Sequence, residues 1–366
     1  MLFPYPGYNI TINSVDKIEY KQTNGGQKGI MNFFKSLNFF LKNLGIDLGT
    51  ANTIVYVDGR GYAVNEPSVI AYNSSSIMAV GTTAKDMLGR THPGIRVIRP
   101  LADGVIADFE AGEDLIKSFI HLAEVPGYLL NRVVIGVPTG ITSVEKRAVI
   151  ESAQLVGARN VYLVSEPMAA AIGMGLDVMG NDAHMIVDIG GGTTDIAVIN
   201  YGGIVVDNTM RIAGNEMDEA LIRYLKQNYN LVIGEKTAEM VKITHGTVNG
   251  RYNRFEIRGI DCVHNLPKAL ILSTTVFKKA FEPVVNAITN GILETLDQLP
   301  PELAGDIVDR GIVFTGGGAM LDGLDTYLRE RLGIPVSRPE NALFCVAEGT
   351  RKILERFDYY KPILFQ

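Results

Sequence analysis

Two short stretches of this chain pair an aspartate with a glycine turn. "GIDLGTANT" sets Asp47 two residues before Gly49, and "VDIGGGTTD" sets Asp188 two residues before Gly190. A turn between strands points several backbone N–H groups one way, and without Cβ atoms those groups approach an anion closely. Gly49, Thr50, Ala51 and Asn52 make the first turn; Gly190, Gly191, Gly192, Thr193 and Thr194 make the second. A third run, "IVFTGGGAMLDGLDTYL", reads as a strand, then Gly316, Gly317 and Gly318, then a helix. That order suits a phosphate, or a flat sugar and base, resting on backbone. One triple glycine alone is as readily a plain tight turn. Three runs, each just after a strand-like segment and two with Asp-x-Gly, favour a phosphate site. The aspartates cannot hold phosphate directly, because like charges repel. They can hold Mg²⁺ through its waters, and Mg²⁺ bridges to phosphate oxygens. The plainer reading, that Asp47 and Asp188 merely cap their turns, is weakened by the repetition. Neither GxxxxGK[ST] nor a dinucleotide fingerprint is present.

The elements around these turns alternate between strand-like and helix-like, which predicts an α/β fold. Residues 45–61, "GIDLGTANTIVYVDGRG", resemble residues 187–203, "VDIGGGTTDIAVINYGG". Both read apolar run, Asp, aliphatic, Gly, small polar turn, β-rich run, glycine turn. The strands after the turns align best one residue further on, so the second turn is expected to be one residue longer. Two such meanders predict a duplicated α/β unit, each copy supplying one side of a cleft. "IVYVDGRGYAV" (54–64) reads as a hairpin with a tight primed turn at Asp58-Gly59. Residues 111–123 have helical spacing, 132–138 read as a buried strand, and 142–157 as a helix capped by Thr142 or Ser143. "VYLVSEPMAAAIGMGL" (161–176) reads as a strand, then a helix opened near Pro167.

Composition narrows the function classes. The chain has 366 residues, enough for two large lobes, and a net charge of −6. An acidic chain is a poor nucleic-acid binder, so no nucleic-acid partner is expected. Cys262 and Cys345 are far apart and the five histidines are scattered, which predicts neither a metal cluster nor a disulfide framework. No run approaches the roughly 18 apolar residues of a membrane span, and none reads as a cleavable secretion signal. A reduced cytoplasm fits these features.

The constellation resembles the actin, Hsp70 and sugar-kinase ATPase superfamily, and within it the MreB family of bacterial actin-like cell-shape proteins. The residues that carry the resemblance are "IDLGTANT", "NEPSVIA" (65–71), "IRPLADGVIADFE" (98–110), "VIGVPTGIT" (134–142), "SEPMAAAIG" (165–173), "DIGGGTTDIAVI" (188–199), "IGEKTAEMVKI" (233–243) and "TGGGAMLDGLD" (315–325). They extend from Leu44 to about Ala347. The resemblance implies an actin-like ATPase fold of four subdomains around a nucleotide cleft. Subdomain IA would hold 44–58, 103–170 and 336–366, and IB 59–102. IIA would hold 171–211 and 270–335, and IIB 212–269.

The resemblance also implies residue roles. Glu166 would orient the attacking water, Thr193 would help place it, and Asp47 and Asp188 would organise Mg²⁺ through water. Glu239 and Lys242 would contact the nucleoside, with Met240 and Val241 between them. Their spacing puts Glu239 and Lys242 on one helix face, which equally suits a surface ion pair. Gly214, Gly316, Gly317, Gly318, Ala319 and Met320 would lie along the adenosine and phosphates. ATP and Mg²⁺ are the implied cofactors, slow hydrolysis the activity, and a polymer of the chain the output. Paired protofilaments, the inner membrane surface and cell-elongation proteins such as MreC, MreD and RodZ are the implied partners. Asp195 stands where some relatives carry Glu, which leaves the MreB-type paralogue open. The tail "RFDYYKPILFQ" has no counterpart; its aromatics favour packing on the body over a partner contact.

The N-terminal region joins an apolar segment to the first glycine turn. On a helix, "NFFKSLNFFLKNL" gathers Phe33, Phe34, Leu37, Phe40, Leu41 and Leu44 on one side, with Lys35 and Lys42 opposite. Such a helix over 31–43 is too short to cross a bilayer but could lie in the interface. Packing on its own body is the plainer reading; the resemblance favours membrane. A second apolar tip, 125–131, would insert Tyr128, Leu129 and Leu130 beside it. Residues 1–30 lack sustained periodicity and any place in the family pattern, so Met31 is the expected natural start. Alternatives from other classes are a soluble small-molecule kinase, which needs a substrate pocket and base, and an Hsp70-type chaperone ATPase, which needs a further domain.

Overall fold

The structure, a computed structural model, describes residues 41–74, 76–102 and 104–365, and the backbone of three strands near the N-terminus. The chain divides into two units, Met1–Lys42 and Asn43–Gln366. In the first unit, Leu2–Tyr5, Tyr8–Ser14 and Lys17–Gln22 pair antiparallel in that order. Residues 1–30 therefore hold strands despite their weak pattern: "YNITINS" alternates for only seven residues, enough for one strand. Phe33, Phe34, Leu37 and Phe40 lie outside the described residues, as does the expected helix up to residue 40. Its expected end is corrected. Lys42–Leu48 is a strand, and Leu44 is fully buried and pairs with Val57. Asn43 joins that pairing, since its carbonyl accepts from the Asp58 N–H at 3.0 Å. Leu41, just before this strand, is half-buried.

The second unit is built on two five-stranded sheets with the same plan. From edge to edge the first runs Asn160–Ser165, Leu130–Val137, Lys42–Leu48, Asn52–Val57, Gly61–Pro67. The second runs Val336–Ser337, Ile312–Thr315, His184–Ile189, Thr194–Asn200, Gly203–Met210. In each, three consecutive strands form an antiparallel meander, and two later strands extend the sheet beyond the meander's first strand. The expected duplication is thus present in the topology. The expected longer second turn is not. Leu48 pairs with Thr53 and Ile189 with Thr194, so Gly49–Asn52 and Gly190–Thr193 are equal in length. The offset seen in sequence arises further on: the paired run Thr194–Asn200 outlasts its counterpart Thr53–Val57. The Asp58-Gly59 turn also differs from expectation. Either primed turn needs positive φ at the first central residue, but Asp58 lacks it and only Gly59, the second, has it (φ 76°), with Arg60 N donating to the Val57 carbonyl.

Helices cover these sheets because their apolar residues recur at helical spacing. Phe109–Leu122 buries Ala111, Leu115, Ile116, Phe119 and Ile120 in the first lobe's core. Thr275–Asp297 buries Phe277, Phe281, Val284, Val285, Ile288 and Ile292 in the second's. A third cluster lies between the sheets, formed by Glu166–Met174 and Cys345–Glu355. Gly173 and Gly349 let these two helices touch backbone to backbone. A Cβ on either would sit about 2 Å from the carbonyl oxygen of Cys345 or Ala169.

Each lobe carries a small three-stranded sheet. In the first lobe Ser76–Val80, Ile70–Asn73 and Ile95–Ile98 accompany the helix Gly81–Met87. In the second, Leu231–Val232, Arg254–Asp261 and Pro267–Ser273 accompany Gly214–Tyr229 and Glu235–His245. Three expected subdomain boundaries meet different sheet membership. Gly61–Pro67, expected in IB, is the edge of the first large sheet, and Pro267–Ser273 continues the small second sheet beyond 269. Val336–Ser337, expected in IA, pairs with Ile312 and Val313 of the second large sheet.

Candidate functional site: a cleft lined by glycine turns and acids

The two equivalent hairpin turns meet. A Cβ on Gly191 would lie 2.6 Å from the Ala51 Cβ, so the turns are held together by the absence of a side chain there. The first turn is shaped by Ser68, which is fully buried: its hydroxyl donates to the Gly49 carbonyl (2.6 Å) and its N–H to the Ala51 carbonyl (3.0 Å). Gly104 N donates to the Thr50 hydroxyl at 3.0 Å and lies against the Thr193 methyl. The second turn receives the helix Gly214–Tyr229 end-on. Gly214 N donates to the Gly190 carbonyl and Asn215 N to the Gly191 carbonyl. The third turn closes on the same place. Gly316 has φ +83°, and a Cβ on it would lie 2.4 Å from Asp188 Oδ1. All three glycine runs singled out in the sequence therefore converge, with Gly214 among them. Gly317 is exposed and Gly318 half-buried.

Four carboxyl groups share this cleft. Burial pushes Asp47 up to about 8, with Asp188 adding to the shift. Burial and then Asp195 push Asp188 up to about 7. Glu166 starts its helix where the strand Asn160–Ser165 ends, and it is raised well above the usual carboxylate range. Burial is the main cause, followed by the charges of Asp195, Asp188 and Asp47. Like charges gathered out of water hold protons until a cation arrives.

Asp195 was read from sequence only as a paralogue marker; the structure gives it a larger part. Its Oδ1 accepts from Thr139 N (3.1 Å), the Thr139 hydroxyl (3.0 Å) and the Thr209 hydroxyl (2.7 Å). Thr139 follows the first sheet's strand Leu130–Val137 and Thr209 belongs to the second sheet, so this buried acid ties the two lobes together. Its position inside the glycine motif was the available signal. Ser68, inside "NEPSVIA", was equally visible and equally unassigned.

The second lobe places the expected nucleoside residues at one side of the cleft. Lys242 Nζ donates to the Gly214 carbonyl (2.6 Å) and to Asp218 (2.8 Å). Burial outweighs that ion pair and pushes Asp218 up to about 6. Glu239 lies one turn earlier and pairs with Lys85 of the first lobe at 2.7 Å. Met240 and Met320 are exposed, whereas Val241 and Ala319 belong to the hydrophobic core, leaving only their backbones for any ligand.

A divalent cation fits this set of donors. Asp188 Oδ1 is buried without a hydrogen-bond partner, and so is Asp195 Oδ2. Among the described residues no three His, Cys, Asp or Glu side chains form a direct metal cage. An ion such as Mg²⁺, which keeps several waters and takes one or two carboxylates, matches that geometry.

The second apolar tip is corrected in part. Tyr128 is 71% exposed and Leu129 half-buried, but Leu130 is fully buried. Leu130 opens the strand Leu130–Val137 and faces the first lobe's core, where a strand residue cannot also reach a bilayer.

Known proteins resemble this chain over most of its length. The family model described as MreB/Mbl protein matches residues 41–362. The cell shape-determining protein Mbl of Bacillus subtilis (strain 168) is 46% identical over 324 residues, 87% of this chain and 97% of that protein. A crystal structure of MreB5 of Spiroplasma citri bound to AMPPNP superposes with a TM-score of 0.84 at 38% identity. It covers 88% of this chain and 98% of that one. A MamK double helical filament gives 0.74 at 27% identity, covering 86% and 98%.

Proposed function

The chain belongs to the MreB/Mbl family of actin-like cytoskeletal proteins, and on that premise we propose that it is an ATP-regulated, membrane-associated filament protein. The observation that carries the reading is the convergence of three glycine turns on four acids, of which Asp188 and Asp195 are buried and Asp47 and Glu166 half-buried. Family membership sets aside the soluble-kinase and chaperone alternatives.

In this reading the backbone N–H groups of Gly49–Asn52 and Gly190–Thr193 take the phosphate oxygens. Mg²⁺ would neutralise phosphate charge, held through water by Asp47 and Asp188. Glu166 orients the attacking water and Thr193 helps to hold it. Gly214, Gly316, Gly317 and Gly318 give backbone room for the nucleoside, with Glu239 and Lys242 beside it. Positioning and charge do most of the work in phosphoryl transfer, so slow hydrolysis needs no further nucleophile. Bridging of both lobes by ATP favours an assembly-ready shape, and hydrolysis loosens the bridge. The filament, of paired protofilaments, would lie on the inner face of the cell membrane and organise wall synthesis with proteins such as MreC, MreD and RodZ. No helix among the described residues is long and apolar enough to cross a membrane. Peripheral binding through residues 33–41 and the exposed Tyr128 tip is the reading proposed instead.

Sedimentation of the full chain with Mg-ATP, with and without anionic liposomes, followed by electron microscopy, tests this. The expected result is ATP-dependent polymer that co-pellets with lipid as filaments on its surface. A protein that never pellets, at any concentration and with or without lipid, overturns the reading.

A further inference from the structure

Outside the glycine turns, the two lobes are also joined by charge. The helix Gly81–Met87 and Arg99 of the first lobe face the helix Glu235–His245 of the second. Lys85 pairs with Glu239 at 2.7 Å, Asp86 with Lys236 at 2.6 Å, and Arg99 with Glu235 at 3.0 Å. The signs alternate along both sides, and each charge meets its opposite. Lys85 and Glu239 are mostly shielded, at 24% and 23% side-chain exposure; the other two pairs are more open.

Both sides of this joint are firmly seated. Glu66, on the edge strand of the first large sheet, accepts from Thr82 N (2.7 Å) and the Thr82 hydroxyl (2.6 Å). That fixes the start of the Lys85 helix. On the other side, Lys242 ties the Glu239 helix to Gly214, which abuts the second glycine turn. The joint therefore borders the site where a nucleotide would rest, and it spans the gap between lobes.

We propose that these three ion pairs form a clasp across the cleft, in which Lys85 is a positioning residue for Glu239 and the clasp sets the rate of nucleotide release. The inference rests on the nucleotide reading above. A bound nucleotide can leave only when the small sheets part, and parting them breaks all three pairs together. Single exposed pairs are weak and salt-sensitive. Three on one joint act in concert, because one parting of the lobes breaks them all. The clasp also explains why Glu239 is held toward the cleft rather than toward solvent.

A charge-swap cycle on the full chain tests the clasp. Asp86 and Lys236 lie outside the proposed binding machinery, so Asp86→Lys, Lys236→Asp and the double variant are compared with the parent. The parent is first titrated with a fluorescent ATP analogue plus Mg²⁺, then chased with unlabelled ATP. Each single variant should release the analogue about three- to tenfold faster at low salt, and the double variant should return close to the parent. The differences should shrink at high salt, and single-turnover hydrolysis should stay unchanged. Thermal melts confirm that each variant is folded, and Lys85→Ala, which leaves the Asp86 pair intact, gives a second measure of release. Unchanged release in both single variants and in Lys85→Ala overturns the clasp. So does a double variant whose defects add rather than cancel. No analogue binding by the parent overturns the nucleotide reading and the clasp with it, whereas binding with unaltered release overturns the clasp alone.

Discussion

At the level of single residues, the cleft is defined by acids that dislike their surroundings. Asp47 and Asp188 titrate near 8 and 7 in the ligand-free fold, against about 3.8 when unfolded. From about pH 4 to 8 the folded chain therefore binds more protons than the unfolded chain. The contribution of these two acids to stability falls as pH rises through that window, because ionising them in the fold costs more than ionising them in water. We expect the melting temperature of the ligand-free protein to drop between pH 6 and pH 8.5, and Asp47→Asn to flatten the slope. Mg-ATP should oppose the drop, since a cation favours the ionised pair. Scanning fluorimetry across pH measures this; equal slopes in parent and variant would show that Asp47 is not the proton carrier. Asp47 and Asp188 were legible in the sequence because Asp-x-Gly occurs twice. Asp195 was not legible as a lobe tie, because Thr139 and Thr209 reach it only through the fold.

At the level of elements, pattern and pairing succeed at different tasks. The helix Ser143–Leu155 was readable because Thr142 and Glu145 form a reciprocal cap, with Glu145 N donating to the Thr142 hydroxyl and Thr142 N to Glu145. Leu130 looked like a loop tip and Leu44 like the end of a helix face, because an apolar residue at a strand start carries no mark of its own. Only register decides which way a strand residue points. The tail shows the same dependence. Leu163, on the edge strand Asn160–Ser165, exchanges backbone hydrogen bonds with Phe365 at 2.8 and 3.1 Å. Phe357 stacks edge-on to Tyr162 (4.8 Å) and lies under Arg132 (4.1 Å). The sequence favours packing for the tail's aromatics, and Phe357 and Tyr360 are buried, whereas Tyr359 is exposed. The tail thus covers an otherwise open sheet edge. Phe357→Ala should cost about 3 kcal/mol, seen as a lowered melting temperature. Deleting the last three residues should raise aggregation more than it lowers stability. A Phe357→Ala protein that melts with the parent would mean that the tail is not anchored there.

At the level of the whole molecule, the proposed hydrolysis at one carboxylate would have to reach the proposed assembly. Glu166 stands at the joint. Its helix begins at the end of a first-sheet strand and buries Met168, Ala169, Ala170 and Ile172 in a cluster shared with Ile186 and Ile199 of the second sheet. Glu166 is therefore placed on a helix that packs against both lobes. Glu166→Gln keeps the side chain's volume and removes its charge. If its role is to orient water, phosphate release should fall by about a hundredfold, while ATP affinity and ATP-dependent pelleting persist. Polymers should then outlive those of the parent, because the step that loosens the lobes is slow. Phosphate release, pelleting and the decay of light scattering after ATP is exhausted are read on the same samples. Slow hydrolysis with long-lived polymer ties disassembly to the chemistry in the cleft. Loss of pelleting despite intact ATP binding would instead make Glu166 a strut between the lobes, and hydrolysis would need another residue to place its water.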